Sequence, residues 1–320
     1  MTDETYMQRC LQLAALGLGK TNPNPMVGAV IVHNDRIIGE GYHHRCGEAH
    51  AEINAINSVK DKSLLTESTL YVNLEPCSHF GKTPPCADAI IRYGIPKVVI
   101  GSIDYHDKVN GAGVRKLREA GVEVVENVCE KDCEELNKRF FTFHRQHRPY
   151  IILKWAQTRD GYMDIDRSSS TTTTYWITNP ALKVLVHKWR GEEDAILVGY
   201  RTMKNDQPQL TTREYPGKDP QRFVMQRGTD IISPLPYTPL PDNAEEAINA
   251  LYQLNIQSVI IEGGKNTLEK FIEAGLWDEA RILVGNQTWE KGLPAPKMPG
   301  TPEKTTTIDD NLLIYVRRHL

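Results

Sequence analysis

One histidine and two cysteines in the first third of the chain have the chemistry and spacing of a zinc site. His50 stands two residues before Glu52, and eight residues separate Cys77 from Cys86. One imidazole and two thiolates occupy three positions around a tetrahedral zinc ion and leave the fourth for water, as a catalytic site requires. Zinc activates such a water near neutral pH, and we predict that the Glu52 carboxylate moves its proton.

This pattern is typical of nucleobase deaminases, whose signature is H-x-E followed by P-C and a second cysteine. The usual spacing between those cysteines is two residues, so the long loop after Cys77 is a departure. We expect it to give a polar lining and room for a larger substrate. Two other interpretations remain open: a structural zinc site with Cys46 or His79 as fourth ligand, and two core cysteines beside a helix-capping histidine.

The elements that must position these residues alternate between helix and strand. A strand over Leu70–Leu74 ends just before Cys77, and a helix over Cys86–Tyr93 begins where Pro84-Pro85 suits a first turn. A charged helix over Glu130–His147 closes this half of the chain. The alternation predicts a layered α/β domain.

The alternation restarts after Pro149 and predicts a second α/β domain, so we divide the chain into domains 1–147 and 148–320. The run Gly263 to Thr267 follows a predicted strand and opens a predicted helix. Glycines there let backbone N–H groups approach a phosphate at the positive end of a helix. A tight turn without a ligand is the alternative. Ser168–Thr174 and Pro234–Pro241 are predicted loops.

Composition narrows the functional classes. The chain has 320 residues, with 38 Lys and Arg against 41 Asp and Glu, and its net charge of −3 argues against nucleic-acid binding. The N-terminal stretch lacks the basic and apolar regions of a signal peptide, and no apolar run is long enough to span a bilayer. We therefore expect a cytoplasmic protein with reduced thiols and no membrane partner.

Several motifs of the first half together carry a family resemblance. They are Thr21 to Val30, Gly39 to His43, His50-Ala51-Glu52 and Glu75 to Cys86. With them the chain resembles the bifunctional riboflavin-biosynthesis deaminase/reductases. The resemblance implies an N-terminal cytidine-deaminase-like three-layer α/β/α domain, with zinc on His50, Cys77 and Cys86. It also implies deamination of 2,5-diamino-6-(5-phosphoribosylamino)pyrimidin-4-one to the corresponding uracil.

The second half resembles the reductase domain of the same family through Lys154 to Gly161, Trp176 to Pro180 and Glu262 to Gly264. The resemblance implies a dihydrofolate-reductase-like α/β fold that uses NADPH to reduce the substrate's ribose to a ribityl chain, with Lys154 as a catalytic residue. The implied cofactor-binding residues are Gln157, Trp176, Thr202, Asp206, Gly264, Lys265, Asn266 and Thr267. The implied substrate-binding residues are Thr174, Leu210, Arg213 and Glu262. A homo-oligomer is also implied.

The second half departs from the family pattern in places that leave cofactor preference open. Gln207 replaces a usual second aspartate, Gln226-Arg227-Gly228 stands where an aspartate-arginine pair is common, and the segment 214–243 is short. These departures leave the preference for NADPH over NADH open. The alternatives to a bifunctional enzyme are a deaminase with a degenerate reductase domain and a zinc-stabilised RNA-binding module.

Overall fold

The computed structural model describes residues 1–78, 84–103, 111–165, 175–226 and 236–318. The chain forms two compact units, Met1–Gln146 and His147–Leu320. Among the described residues, no helix is both long enough and apolar enough to cross a membrane. Each unit is an α/β structure with its own sheet.

Unit 1 has a five-stranded sheet in the order β2-β1-β3-β4-β5. The pairs β1–β2 and β1–β3 are antiparallel, whereas β3–β4 and β4–β5 are parallel. Its elements are α1 (Asp3–Ala14), β1 (Gly28–His33), β2 (Arg36–Tyr42), α2 (Ala51–Ser58), β3 (Thr69–Leu74), α3 (Cys86–Arg92), β4 (Lys97–Ser102), α4 (Ala112–Glu119), β5 (Glu123–Val125), α5 (Glu130–Leu136) and α6 (Lys138–Gln146), with short 3₁₀ turns at Ala15–Gly17 and Lys62–Glu67.

The sheet of unit 1 is covered on both faces, because alternate residues of its central strands point to opposite sides. On one face, strand residues such as Ile31 and Val72 pack against helices α2, α3 and α4. On the other, Val30 and Tyr71 pack against α1 and α5. The three-layer α/β/α arrangement predicted for this unit is confirmed.

The prediction of one continuous helix over Glu130–His147 is wrong. The segment forms two helices, α5 and α6, separated at Asn137. The Asn137 side chain is buried and binds the Met26 backbone twice, accepting from its N–H at 2.8 Å and donating to its carbonyl at 2.9 Å. Because Asn137 binds the backbone just before β1, it separates two helices where the local sequence pattern predicts one continuous helix.

Unit 2 has an eight-stranded sheet in the order β10-β9-β8-β11-β6-β12-β15-β14 and a two-stranded sheet of β7 and β13. Its elements are β6 (Tyr150–Gln157), β7 (Tyr162–Asp164), α7 (Pro180–Glu192), β8 (Ala195–Gly199), α8 (Tyr200–Asp206), β9 (Gln221–Met225), β10 (Thr238–Leu240), α9 (Ala244–Gln253), β11 (Ser258–Ile261), α10 (Lys265–Glu273), β12 (Glu279–Val284), β13 (Leu293–Pro294), β14 (Pro302–Ile308) and β15 (Asn311–Arg317).

The parallel part of this sheet contains a switch point between β8 and β11. From β8 the chain continues outward to β9 and β10, then returns to β11 and crosses to β12 on the far side of β6. Helices α7 and α8 pack on one face of the sheet, and α9 and α10 on the other. Ligands of such sheets bind beyond the carboxyl ends of the strands at a switch point.

Two predictions for unit 2 need correction or completion. Part of the loop predicted at Pro234–Pro241 is strand β10, which pairs in parallel with β9. Sequence patterning also missed α8 and the exposed edge strand β14. All three elements are short or largely exposed, so they carry little hydrophobic periodicity. The predicted loop Ser168–Thr174 lies outside the described residues.

Candidate active sites

His50 is placed by the junction between β2 and α2. It is the N-cap residue of α2, with extended backbone angles. The turn before it is held by Asn54, whose side-chain amide donates to the Tyr42 carbonyl at 2.8 Å and the Ala49 carbonyl at 3.2 Å. A Cβ at Gly41 would lie 2.3 Å from the Ala55 nitrogen, so only glycine lets α2 pack this closely on β2. This contact sets the height of the imidazole above the sheet.

The two cysteines come from the end of β3 and the start of α3. Cys77 lies in the loop three residues beyond β3, and Cys86 is the first residue of α3 after Pro85. The Ala87 N–H donates to the Cys77 carbonyl at 3.1 Å, and the Cys86 N–H donates to the Cys77 sulfur at 3.3 Å. The N-terminus of α3 thus tethers the Cys77 loop directly.

The donor atoms of His50, Cys77 and Cys86 all lie within 4.8 Å of one another. The His50 Nδ1 atom is 3.5 Å from the Cys77 sulfur and 3.4 Å from the Cys86 sulfur. In a tetrahedral zinc site, a sulfur and a nitrogen ligand are about 3.6 Å apart, given bond lengths near 2.3 and 2.1 Å. The three residues therefore fit zinc in both chemistry and spacing.

The electrostatics of the cluster favour ionised sulfur. A hydrogen bond from the Cys86 thiol, together with His50, lowers the pKa of Cys77 well below its usual value despite burial. The pKa of Cys86 is raised by its bond to Cys77 and by burial, and the bond to Cys77 raises the pKa of His50. Cys77 therefore ionises more readily than an ordinary thiol, and the thiolate is the form in which cysteine ligates metal.

Glu52 lies beside the cluster on the first turn of α2 and is only 3% exposed. Burial raises its pKa to about 7, and the negative charge of Cys77 adds to the effect. A carboxyl group that titrates near neutral pH can both accept and release a proton at the same site. The position and protonation of Glu52 suit the proton transfer predicted for it.

Glu75 is a supporting residue that sequence reasoning missed. Its buried carboxylate accepts three backbone N–H bonds at the start of α4, from Gly111 at 3.1 Å, Gly113 at 2.8 Å and Val114 at 3.2 Å. Gly111 has a φ of 73°, and a Cβ at Gly113 would lie 2.1 Å from the Pro76 carbonyl oxygen. The glycines before α4 thus bring its N-terminus against the Cys77 loop.

A second supporting residue is His43, which is 2% exposed. Its Nδ1 lies 3.2 Å from the Ala49 carbonyl, which can only accept, so Nδ1 carries the hydrogen. Its Nε2 then accepts from the Asn24 side-chain amide at 3.0 Å. Burial lowers the pKa of His43 and keeps the ring neutral, as this arrangement needs. His43 therefore links the Asn24 loop to the residue before His50.

The alternative fourth ligands do not join the cluster in the described part of the chain. Cys46 is exposed and lies outside the group of three donors. His79 lies outside the described residues.

In unit 2, the predicted residues Lys154 and Glu262 meet at the centre of the sheet. Lys154 lies on β6, and Glu262 directly follows β11, which pairs with β6. The Lys154 Nζ atom is 3.4 Å from the Glu262 carboxylate. Arg190 of α7, which sequence reasoning missed, donates to both oxygens of the same carboxylate, at 3.2 and 2.9 Å. The three residues form a buried charge cluster with two cations and one anion.

The cluster fixes its own protonation states. Burial alone would raise the pKa of Glu262, but Arg190 and Lys154 outweigh it and lower that pKa to about 2. Burial lowers the pKa of Lys154, and the charge of Arg190 lowers it further, against the attraction of Glu262. Glu262 is therefore ionised at neutral pH, and Lys154 releases its proton more readily than an exposed lysine does.

A cleft of about 1130 Å³ opens at the carboxyl ends of β8, β9 and β11, beside the switch point. Six of the predicted cofactor-binding residues line it. They are Thr202, Asp206, Gly264, Lys265, Asn266 and Thr267. These residues come from the starts and ends of two helices, α8 and α10, that flank the strand ends.

The N-terminus of α10 fits the phosphate-binding role predicted for it. Its N-cap residue is Gly264, and no side chain of the described residues caps it. The Gly264 N–H donates to the Thr202 hydroxyl at 3.2 Å, which fixes the start of α10 against α8. Thr267 packs where a Cβ on Gly199 or Gly263 would stand, at 2.3 and 2.5 Å. The first amides of α10 therefore face the cleft from a rigid base.

The other predicted residues of unit 2 lie outside the lining of this cleft. Gln157 accepts from the Trp155 indole at 2.8 Å, and Trp176 is 60% exposed with the Lys183 ammonium over its ring. Leu210 is buried with a φ of 53°. Arg213 is exposed and donates to the Thr211 hydroxyl at 3.1 Å. Thr174 lies outside the described residues.

Two sequence profiles of known families match the chain, one on each unit. The first, described as the cytidine and deoxycytidylate deaminase zinc-binding region, matches residues 1–102. The second, described as the RibD C-terminal domain, matches residues 149–288.

Full-length relatives show the same combination. The chain is 36% identical to the riboflavin biosynthesis protein RibD of Aquifex aeolicus, covering 99% of both sequences. It is 37% identical to the RibD of Bacillus amyloliquefaciens, covering 88% of this chain and 85% of that protein. A crystal structure of the diaminohydroxyphosphoribosylaminopyrimidine deaminase/5-amino-6-(5-phosphoribosylamino)uracil reductase of Thermotoga maritima superposes with a TM-score of 0.86 at 35% identity, covering 98% of each chain.

Proposed function

Since the chain belongs to the RibD family of bifunctional deaminase/reductases in riboflavin biosynthesis, we propose how its own residues divide the two reactions. The family acts on phosphoribosylated pyrimidines with zinc in the deaminase domain and NADPH in the reductase domain. Unit 1 carries the zinc-dependent deamination. Unit 2 carries the reduction of the ribose.

In unit 1, His50, Cys77 and Cys86 hold the zinc ion. The bound zinc supplies the Lewis acidity that activates a water for attack on the ring carbon. Glu52 takes the proton of that water at its carboxylate and passes it to the departing amine. Glu75 and the α3 N-terminus hold the Cys77 loop, so that the ligands stay in place during turnover.

In unit 2, Gly264 to Thr267 bind the cofactor phosphates at the start of α10, with Thr202 and Asp206 on the facing helix. The bound NADPH supplies the hydride. Arg190 holds the Glu262 carboxylate in one orientation, so that it can accept from substrate hydroxyls. Lys154 donates a proton from Nζ to the ribose oxygen, a role that its lowered pKa assists.

The remaining predicted contacts complete this scheme as proposals. Arg213 would bind the substrate phosphate, since its guanidinium is exposed and its bond to the Thr211 hydroxyl leaves further N–H donors for phosphate oxygens. Leu210, Thr174, Gln157 and Trp176 would border substrate or cofactor. A homo-oligomer in the cytoplasm remains the expectation for the whole protein.

The observation that carries the deaminase assignment is the convergence of three zinc donors beside buried Glu52. Its test is the zinc content of the purified Cys77→Ala variant. We expect loss of most of the bound zinc and of ammonia release. The matched control is Cys133→Ala, which removes another buried thiol of unit 1 that lies outside the cluster. Full zinc in the Cys77 variant would refute the ligand assignment.

The reductase assignment is tested by Lys154→Met, supplied with the deaminated substrate. We expect NADPH oxidation to fall about 10²- to 10³-fold while NADPH still binds, since general-acid groups contribute on this scale. Lys188→Met is the matched control, because that lysine is half-exposed on α7 and pairs there with Glu192. Unchanged NADPH oxidation in the Lys154 variant would remove Lys154 from the mechanism.

A further inference from the structure

We propose that Arg201 and Gln226 form the corner of the reductase cleft that selects a dinucleotide with a 2′-phosphate on its adenosine ribose. The inference rests on the proposed function, because it takes NADPH to bind in this cleft. It adds the two residues that distinguish NADPH from NADH in this chain.

The strand order fixes which way a dinucleotide lies. The reacting nicotinamide must reach Lys154 and Glu262, which stand on β6 and at the end of β11. The phosphates lie at the start of α10, directly after β11. The cleft continues from there over β8 and β9, on the side away from β6. The adenosine half therefore lies over the ends of β8 and β9.

The distance also suits an adenosine ribose. Neighbouring strands are about 4.8 Å apart, so the end of β9 is about 10 Å from the end of β11. Gly199 at the end of β8 pairs with Met225 at the end of β9. Arg201 and Gln226 lie one or two residues beyond that pair, and both line the cleft. Both residues therefore line the part of the cleft at the ends of β8 and β9, where the adenosine half lies.

Arg201 is the cation available to a phosphate at this corner. Among the lysines and arginines that line the cleft, Lys265 is paired with Glu269 at 3.7 Å, and Lys270 is paired with Asp242. Arg201 is exposed in the first turn of α8 and makes no ion pair with any described residue. Its guanidinium can thus bind phosphate oxygens without breaking an existing bond.

Gln226 is the second residue that favours NADPH over NADH. It is 5% exposed, and its backbone N–H donates to the Leu240 carbonyl at 3.1 Å, so it is fixed at the end of β9. Enzymes that prefer NADH place a carboxylate at the ribose, where it binds the 2′-hydroxyl and repels a 2′-phosphate. A neutral amide removes that repulsion, and the pairing of Asp242 with Lys270 neutralises the neighbouring carboxylate.

The test is the affinity of the full-length protein for NADPH and NADH, measured by the fluorescence of each reduced dinucleotide. We expect Arg201→Met and Gln226→Glu each to weaken NADPH binding about 10- to 100-fold, the scale of one charged hydrogen bond, and to change NADH binding less than about threefold. The control is Lys204→Met, which removes a cation from the same helix outside the cleft lining and should alter neither affinity.

The outcomes separate this inference from the function on which it rests. If wild-type protein binds NADPH, and Gly264→Val loses both dinucleotides, the cleft is the cofactor site. The selection is then overturned if the Arg201 and Gln226 variants keep the NADPH-to-NADH affinity ratio within about twofold of wild type. If wild-type protein binds neither dinucleotide, the proposed reductase function fails, and the selection fails with it.

Discussion

The two sites of this chain are built in opposite ways. In unit 1, three donor atoms lie within 4.8 Å of one another beside the Glu52 carboxyl group. They come from the N-cap of α2, the loop after β3 and the start of α3. In unit 2, a cleft of about 1130 Å³ is lined by residues of β7, β8, β9 and β13 and of helices α8 and α10. A separate charge cluster lies on β6, on α7 and at the end of β11. The first site has the spacing for a single metal ion, whereas the second is an open cleft large enough for an extended ligand.

The two sites also differ in the interactions that hold their residues in place. The proposed zinc ligands are fixed by backbone bonds to the loops that carry them, such as those of Glu75 and of the α3 N-terminus. The reductase cluster is fixed by charge, because Arg190 and Lys154 both bind Glu262. We therefore expect a substitution in one site to impair the reaction of that site and to leave the reaction of the other site unchanged.

The largest effect is expected from Glu52→Gln. The substitution removes the proton carrier and leaves all three zinc ligands, so ammonia release should fall about 10²- to 10⁴-fold with zinc content unchanged. NADPH oxidation with the deaminated substrate should equal that of wild type. The matched control is Glu67→Gln, an exposed glutamate of the same unit. Ammonia release at the wild-type rate would exclude Glu52 from proton transfer.

The next effect concerns acid stability and sharpens the role of charge in unit 2. Glu262 has its pKa lowered from 4.5 to about 2, so its ion pairs stabilise the fold above pH 4.5 and are lost as the pH falls toward 2. Glu262→Gln should cost about 3 kcal/mol of unfolding free energy at pH 7 and about half of that near pH 3. Denaturant unfolding at both pH values measures this.

The control for that experiment is Glu273→Gln, at an exposed position at the end of α10. It should cost little stability at either pH. A loss in the Glu262 variant that stays constant between pH 7 and pH 3 would contradict the assignment of a strongly acidic, ion-paired Glu262.

A smaller effect is expected from Glu75→Gln, which weakens the support of the zinc site without touching a ligand. The amide keeps one acceptor but places an NH₂ group against backbone donors at the start of α4. We expect zinc affinity to fall about 10- to 100-fold, as for other residues that orient metal ligands. Competition with a chelator measures the affinity. Unchanged affinity would confine Glu75 to a role in stability alone.

The smallest effect is expected from Thr202→Val, which removes the acceptor of the Gly264 N–H. Loss of one neutral hydrogen bond should weaken NADPH and NADH alike by about fivefold. Thr202→Ser keeps the hydroxyl and should restore both affinities. An effect on NADPH alone would place the hydroxyl near the 2′-phosphate, and would conflict with the orientation inferred for the dinucleotide.

The contrast between the sites also explains what could be predicted from sequence. His50, Glu52 and the two cysteines were found from residue types and spacing, because a metal ligand has few substitutes. In the reductase cleft, the run Gly263 to Thr267 was predicted from glycines between a strand and a helix. Thr202 was predicted only through the family resemblance, since it meets Gly264 across separate strands. The sequence pattern alone does not indicate that such residues act together.

The residues that were missed act through tertiary contacts. Glu75 binds backbone amides more than thirty residues away in sequence, and Arg190 of helix α7 reaches Glu262 at the end of β11. The glycine pair before α4 was the available signal for Glu75, because such a pair permits close approach of a backbone. Asn137 interrupted a predicted helix for the same reason, since its partner is the Met26 backbone.

We propose that this one chain carries two chemically separate sites that act in sequence. The most direct test follows ammonia release and NADPH absorbance together, on wild-type protein given the diaminopyrimidine phosphoriboside. We predict that ammonia appears without NADPH, and that NADPH is consumed only after deamination. The claim is contradicted if NADPH is consumed before ammonia appears, or if ammonia appears and NADPH is never consumed.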